Sequence, residues 1–233
     1  MIPRQGAIAV FVKTPGYSSL KTRLAASIGQ TAAERFHLLS AKAVEAVVQS
    51  VAKQNPVTPY WAVAEAAALS EPVWQQFSSL DQGTGDLGTR LAHVQQVLFE
   101  RHAYVIFLGA DTPQLPAAYL NRAVELLSRF TDRPQFVIGP ASDGGFYLFG
   151  SQICLTREEW CQVPYSAANT AEMLLAQIQD RGDVHQLPVL TDVDTVHELN
   201  SIRQEMSHVD FCLPEQWQIV EWIQAQDLEG RES

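Results

Sequence analysis

Ala103-Tyr104-Val105-Ile106-Phe107-Leu108-Gly109-Ala110-Asp111-Thr112-Pro113 decides how this chain is read. Its continuous apolar run reads as a strand buried on both faces, as in a parallel sheet. Ligands of open α/β sheets sit just beyond the carboxyl ends of such strands. Asp111 stands at that end, and Pro113 turns the chain toward the next helix. Two readings of Asp111 stand side by side: a ligand-binding carboxylate, or a cap of the helix that begins near Pro116.

The segments around this strand extend the pattern. Ala7–Val12 predicts a first buried strand and Val57–Ala64 a second. Thr31 and Glu34 are spaced as a capping box opening a helix through about Gln54, with Phe36, Leu39, Ala43, Val47 and Val51 on its apolar face. Further helices are expected over Glu71–Phe77, Leu87–Glu100, Ala117–Arg129 and Ala167–Arg181, and from Thr195, where Glu198 completes a second box. Gln135–Ile138 and Phe146–Phe149 read as strands, and Val184–Leu190 leads into Asp192 and Asp194. This alternation predicts right-handed crossovers and a three-layer α/β fold on a mostly parallel sheet. With no repeat or clear linker, the expectation is one domain over residues 1–233, with 210–233 a helical extension. Trp217, Val220, Trp222 and Ile223 of that extension either pack on the body or make a homodimer contact.

The 233 residues are 46% hydrophobic and 18% charged, so the chain can build a full core. Cys154, Cys161 and Cys212 form no Cys-x-x-Cys pair and read as free thiols of a cytoplasmic protein, with no apolar run long enough to span a membrane. The net charge of −10 argues against nucleic acid as a partner. Yet no acidic residue precedes Glu34, while Arg4, Lys13, Lys21 and Arg23 do, which points to a local anion site.

Three groups of residues carry chemistry. Lys13-Thr14-Pro15-Gly16 leaves the first strand through a Pro-Gly turn and enters a helix with Lys21 and Arg23 on its first turn. Loop amides, a helix start and cationic side chains together suit phosphate, with a solvated basic loop as the alternative, and the spacing is neither Walker A nor dinucleotide-type. Gly83-Thr84-Gly85-Asp86-Leu87-Gly88-Thr89-Arg90 allows close approach of a ligand, or is a flexible loop with Asp86 as helix cap. Asp111, Asp143, Asp192 and Asp194 stand at strand ends, and hard cations such as Mg²⁺ or Mn²⁺ take one or two carboxylates plus substrate phosphates. None of the six histidines has ligand spacing, and none is assigned a role.

Taken in order, Lys13-Thr-Pro with Lys21-Thr22-Arg23-Leu24, Gly83 through Arg90, Gly109-Ala-Asp111-Thr-Pro113, Gly139-Pro140 with Asp143-Gly144-Gly145-Phe146-Tyr147, and Asp192-Val-Asp194-Thr195 resemble a bacterial family of GT-A-type glycosyltransferase-like proteins. Its members are labelled radical-SAM/selenodomain-associated or arsenosugar-biosynthesis transferases, and the Rossmann-like fold is shared with molybdenum-cofactor and phospholactate guanylyltransferases. The resemblance implies a nucleotide-diphospho-sugar transferase-like fold and a metal-dependent enzyme that binds a nucleotide or nucleotide sugar and a small-molecule acceptor. It implies that Lys13, Lys21 and Arg23 grip phosphates, with Lys21 and Arg23 also aiding catalysis. Gly83, Gly88 and Thr89 would border the base, Asp111 and Asp194 would hold Mg²⁺ or Mn²⁺, and Asp143 would act as base on the acceptor side. A nucleotidyltransferase releasing pyrophosphate, and a nucleotide-binding protein without turnover, are the alternatives. The chain departs from the family at Tyr17-Ser18, at Tyr165-Ser166-Ala167, and at Val196-His197-Glu198.

Overall fold

A computed structural model describes residues 5–165, 167–207 and 213–226. Arg4, Ser166, His208, Cys212 and the last residues of the expected C-terminal extension lie outside them. Seven strands form one sheet in the order β3-β2-β1-β4-β6-β5-β7. They are β1 Gly6–Val12, β2 Val57–Val63, β3 Ser78–Asp81, β4 Tyr104–Gly109, β5 Gln135–Pro140, β6 Phe146–Ser151 and β7 Asp183–Gln186. Every strand is parallel to its neighbours except β6, which runs antiparallel to both β4 and β5.

Eight helices complete the described fold: α1 Thr22–Ile28, α2 Gln30–Ala52, α3 Leu87–Phe99, α4 Ala117–Ser128, α5 Arg157–Cys161, α6 Thr170–Ile178, α7 Val196–Ser207 and α8 Pro214–Ala225. Alternate residues of β4 sort onto the two faces of the sheet. Ile106 and Leu108 join a cluster with Val44, Val48 and Leu120, whereas Val105 and Phe107 join one with Leu91, Trp160 and Leu174. The result is the expected three-layer α/β architecture. A third cluster gathers Leu24, Phe36, Leu199, Ile219 and Ile223, so α8 packs on α2 and α7. Trp222 stacks obliquely on Phe36, but Trp217, expected with the packed residues, is 45% exposed.

Several local expectations differ. Thr31 and Glu34 form no capping box: the N-cap is Gly29, two residues earlier than Thr31, and Gln30 Nε2 donates to Glu34 Oε1 instead. The helix expected over Glu71–Phe77 reduces to one 3-10 turn, Pro72–Trp74, followed by the edge strand β3. The helix expected from Ala167 to Arg181 is the shorter α6, and α5 was not anticipated. The Thr195–Glu198 pairing does form, with Glu198 Oε2 accepting from the Thr195 amide. No helix of the described residues is long and apolar enough to cross a membrane.

Chain order steps outward from β1 to β2 and β3, then returns to place β4 on the other side of β1. The crevice between the carboxyl ends of β1 and β4 is therefore the topological switch point, where open α/β sheets hold their ligands. The segments entering it are Lys13–Lys21 from β1 and Ala110–Pro116 from β4.

Candidate active site

The loop after β1 is shaped by its own turn and by Glu65. Thr14-Pro15-Gly16-Tyr17 closes with the Tyr17 amide donating to the Thr14 carbonyl, and Gly16 takes φ +83°, the signature of a type II turn. Glu65 accepts from the Thr14 amide and the Ser18 hydroxyl, and Tyr17 Oη donates to Glu71 at 2.6 Å. The loop ends at Lys21, which precedes α1 rather than lying on its first turn and takes φ 48°, ψ 39°. Lys21 is the only described non-glycine residue with positive φ. A left-handed lysine costs about 1–2 kcal/mol, and such strain persists where surrounding contacts impose it. Here the ammonium, 6% exposed, lies 3.0 Å from Asp111 Oδ2 and donates to the Val193 carbonyl.

The Asp111 loop is held from three sides. Ser40 of α2 donates to the Ala110 carbonyl, and Gln114 Nε2 donates to the Thr191 carbonyl and to Glu205. Gln216 of α8 donates to the carbonyls of Pro113 and Leu115 at 2.8 and 3.1 Å. Asp111 does not cap the next helix, which starts after Pro116 without a side-chain cap. Instead it faces Lys21 and, at 3.6 Å from Oδ1, Nδ1 of His37. His37 Nε2 lies 2.8 Å from the Lys13 carbonyl, to which it donates, so this histidine ties the two crevice loops together. Burial pushes the Asp111 carboxyl up, but Lys21 and His37 outweigh it and hold the group well below the ordinary carboxylate range.

The Val193 amide donates to the Asp111 carbonyl, which brings Asp192 and Asp194 alongside. Arg23 Nη1 pairs with Asp194 Oδ2 at 2.8 Å on the surface. Burial and then the Asp111 charge push the Asp192 carboxyl up to about 7, with Asp143 and Asp194 adding to the effect and Lys21 opposing it. Lys21 and Arg23 pair with Asp111 and Asp194, which leaves Asp192 without an ion-pair partner of its own among the described residues. Asp111 Oδ1 is also buried without a hydrogen-bond partner, although the side chain as a whole is 34% exposed. Hard oxygen donors short of positive charge fit a divalent cation. No group of three or more metal-type ligands exists among the described residues, so a cation there would draw further ligands from substrate or water.

The remaining expected residues divide. Lys13 is exposed at the end of β1, within the same crevice. Asp143 Oδ1 accepts from the Gly145 amide at 2.8 Å, and the residue borders a cavity of about 230 Å³ with Phe11, Leu87, Gly109 and Phe146. Gly83 and Thr89 line a different cleft, about 620 Å³, beside His93 and Arg157. Gly88 is buried, and a Cβ there would lie 2.8 Å from the Trp160 carbonyl oxygen, so it serves close packing of α3 on α5 rather than touching a ligand. Asp86 caps α3 by accepting from the Thr89 amide. Cys154 and Cys161 are free, exposed thiols.

His37 is the site residue that sequence reasoning passed over. Its signal was a polar residue on the buried face of α2, one turn before Ser40. Asp192 was grouped with the other carboxylates but received no role.

The DUF2064 family profile, described as an uncharacterized protein conserved in bacteria, matches residues 45–167, which include Asp111 and Asp143. No curated protein matches the chain. A Desulfovibrio desulfuricans G20 protein provisionally named a nucleotide-diphospho-sugar transferase is 25% identical, with a TM-score of 0.80 over 95% of this chain and 96% of that one. A nucleotidyl transferase from Methanothermobacter thermautotrophicus (13% identity, TM-score 0.55, 87% and 98% covered) shares the fold. So does a cytidylyltransferase from Leptospira borgpetersenii (12%, 0.53, 95% and 93%).

Proposed function

The chain belongs to the DUF2064 family, and from that premise we propose that it is a metal-dependent transferase using a nucleotide-diphosphate-sugar donor. One observation carries this reading: the cationic loop after β1 and the carboxylates after β4 and β7 meet in two ion pairs, Lys21–Asp111 and Arg23–Asp194, beside the switch point. The full-length likeness to the Desulfovibrio desulfuricans protein supports it, as does the sequence resemblance to radical-SAM- and arsenosugar-associated transferases.

In this reading Asp111 and Asp194 hold Mg²⁺ or Mn²⁺, and Asp192 lies beside them. A cation held there would supply positive charge to a departing diphosphate. Lys13 and Arg23 grip the donor's phosphates from the exposed side, and Lys21 lends its buried charge from below. Asp143, which has no basic side chain among its described partners, orients the acceptor hydroxyl and takes its proton. Gly83 and Thr89 shape the segment nearest the base. The reaction product tests the proposal. Nucleoside diphosphate released from a nucleotide sugar supports it, and pyrophosphate released from a nucleoside triphosphate overturns it in favour of nucleotidyl transfer.

Arg23 provides a narrower test. Its side chain is 76% exposed, so Arg23→Ala is expected to change unfolding free energy by less than about 0.5 kcal/mol in urea titrations. Affinity for a nucleoside diphosphate should nevertheless fall by about tenfold at low salt, and by less at high salt, because the contact is charge-assisted and screened. Unchanged affinity at low salt removes Arg23 from the phosphate grip.

A further inference from the structure

We propose that the acceptor offers this site a small apolar group, a single ring or compact branched alkyl carrying one hydroxyl, and that it binds above Phe107 beside Asp143. The inference rests on the transferase reading and names its substrate class. On the face of the sheet covered by α3, α5 and α6, the side chains of β4 run Val105, Phe107 and then stop, because the next residue in the row is Gly109. A Cβ built on Gly109 meets nothing within 4 Å. Its register partner on β1 is Phe11. The space above Phe107 is the cavity of about 230 Å³, walled by Phe11, Leu91, Phe146 and Tyr165 and reached by Asp143.

The side-chain hydroxyls of this wall, among the described residues, are committed elsewhere. Tyr165 Oη donates to the Trp160 carbonyl at 2.9 Å, and Tyr147 Oη to the Pro188 carbonyl at 3.0 Å. The Thr170 hydroxyl donates to the carbonyls of Pro164 and Ala167. Leu87 stands at the rim with 44% of its surface in solvent. The hydroxyl side chains among the described residues leave a sugar ring no free partner, and a phosphate would meet the Asp143 carboxylate. An apolar ring loses only its hydration there, which is favourable. An apolar cavity of about 150 Å³ suffices for benzene, so this one accommodates a ring with a short arm. The arm's hydroxyl reaches Asp143.

The test uses the full chain and two separate titrations. Benzyl alcohol and cyclohexylmethanol, with glucose and glycerol 3-phosphate as polar comparisons, are followed by saturation-transfer NMR. A nucleoside diphosphate with Mn²⁺ is followed by calorimetry. The two alcohols are expected to bind saturably and glucose and glycerol 3-phosphate not to. Gly109→Leu should weaken the alcohols by about tenfold or more, since its side chain occupies the ligand's space. Nucleotide binding should be retained in that variant. Gly109→Ala adds one methyl group in open space and gives a smaller weakening if the leucine variant does not fold. Absence of alcohol binding, stronger binding of glucose or glycerol 3-phosphate, or alcohol binding indifferent to both Gly109 variants overturns the proposal. Loss of nucleotide binding in the unmodified protein, with Gly109-dependent alcohol binding intact, overturns the transferase reading and leaves the apolar site standing.

Discussion

Asp111→Asn is expected to abolish Mn²⁺-dependent nucleotide binding while leaving the protein folded. The substitution keeps the shape of the side chain and removes the charge that faces Lys21 and His37. Replacing groups that merely orient metal ligands costs 10–100-fold in metal affinity, so loss of a ligand itself should exceed about 100-fold. Stability should suffer less. Breaking a fully buried pair costs roughly 3–5 kcal/mol. Asp111 keeps 34% side-chain exposure and an amide oxygen can still accept from Lys21, so a loss of about 1–2 kcal/mol is the expected scale. Calorimetric titration of a nucleoside diphosphate, with and without Mn²⁺, separates the two effects. Wild-type affinity in the presence of Mn²⁺ removes Asp111 from the metal site. Asp194→Asn and the double variant extend the test, since two ligands of one ion give strongly non-additive losses.

The Asp111 position was legible because a buried parallel strand announces itself by composition and its carboxyl end is where ligands collect. The long amphipathic helices α2, α3 and α4 were legible for a similar reason: burial demands a stripe, and the stripe survives in the sequence. Short elements carry too few residues to show a period. The edge strand β3, Ser-Ser-Leu-Asp, has one apolar residue, and α5 has five residues in all. The antiparallel direction of β6 is set by pairing with β4 and β5, not by its own residues.

Within the site, the sequence offered cations and carboxylates as separate sets, one for phosphate and one for metal. The fold sets them against each other. Lys21 neutralises Asp111, and Arg23 neutralises Asp194, across chain separations that no local pattern encodes. The same holds for Gln216, whose two bonds to the Asp111 loop come from the far end of the chain. The C-terminal helix thus buttresses the loop that carries the central carboxylate. A ligand's phosphates and a cation would exchange these internal partners for external ones, which links ligand affinity to the ordering of the loop after β1.

The largest effect on stability is expected at Gly144. It takes φ +88°, and a Cβ there would lie 1.9 Å from the carbonyl oxygen of Ala168. Left-handed alanine costs about 1–2 kcal/mol. Relieving the collision moves backbone rather than a flexible side chain, and forced overpacking adds roughly 1–3 kcal/mol. The Gly144 carbonyl also accepts from the Ala171 amide in the first turn of α6, and its amide donates to the Ala141 carbonyl. A shift would therefore loosen both the start of α6 and the turn that presents Asp143. Gly144→Ala should lower the unfolding free energy by roughly 2–5 kcal/mol in urea, the sum of the two costs. Gly145→Ala is the control. Its Cβ would approach only the tip of the Asp143 side chain, at 3.1 Å, and φ there is not positive. If the two variants lose equal stability, the close approach of Ala168 is not what demands glycine at position 144. A large loss at Gly144 alone establishes that the turn carrying Asp143 is fixed by its backbone, before any ligand arrives.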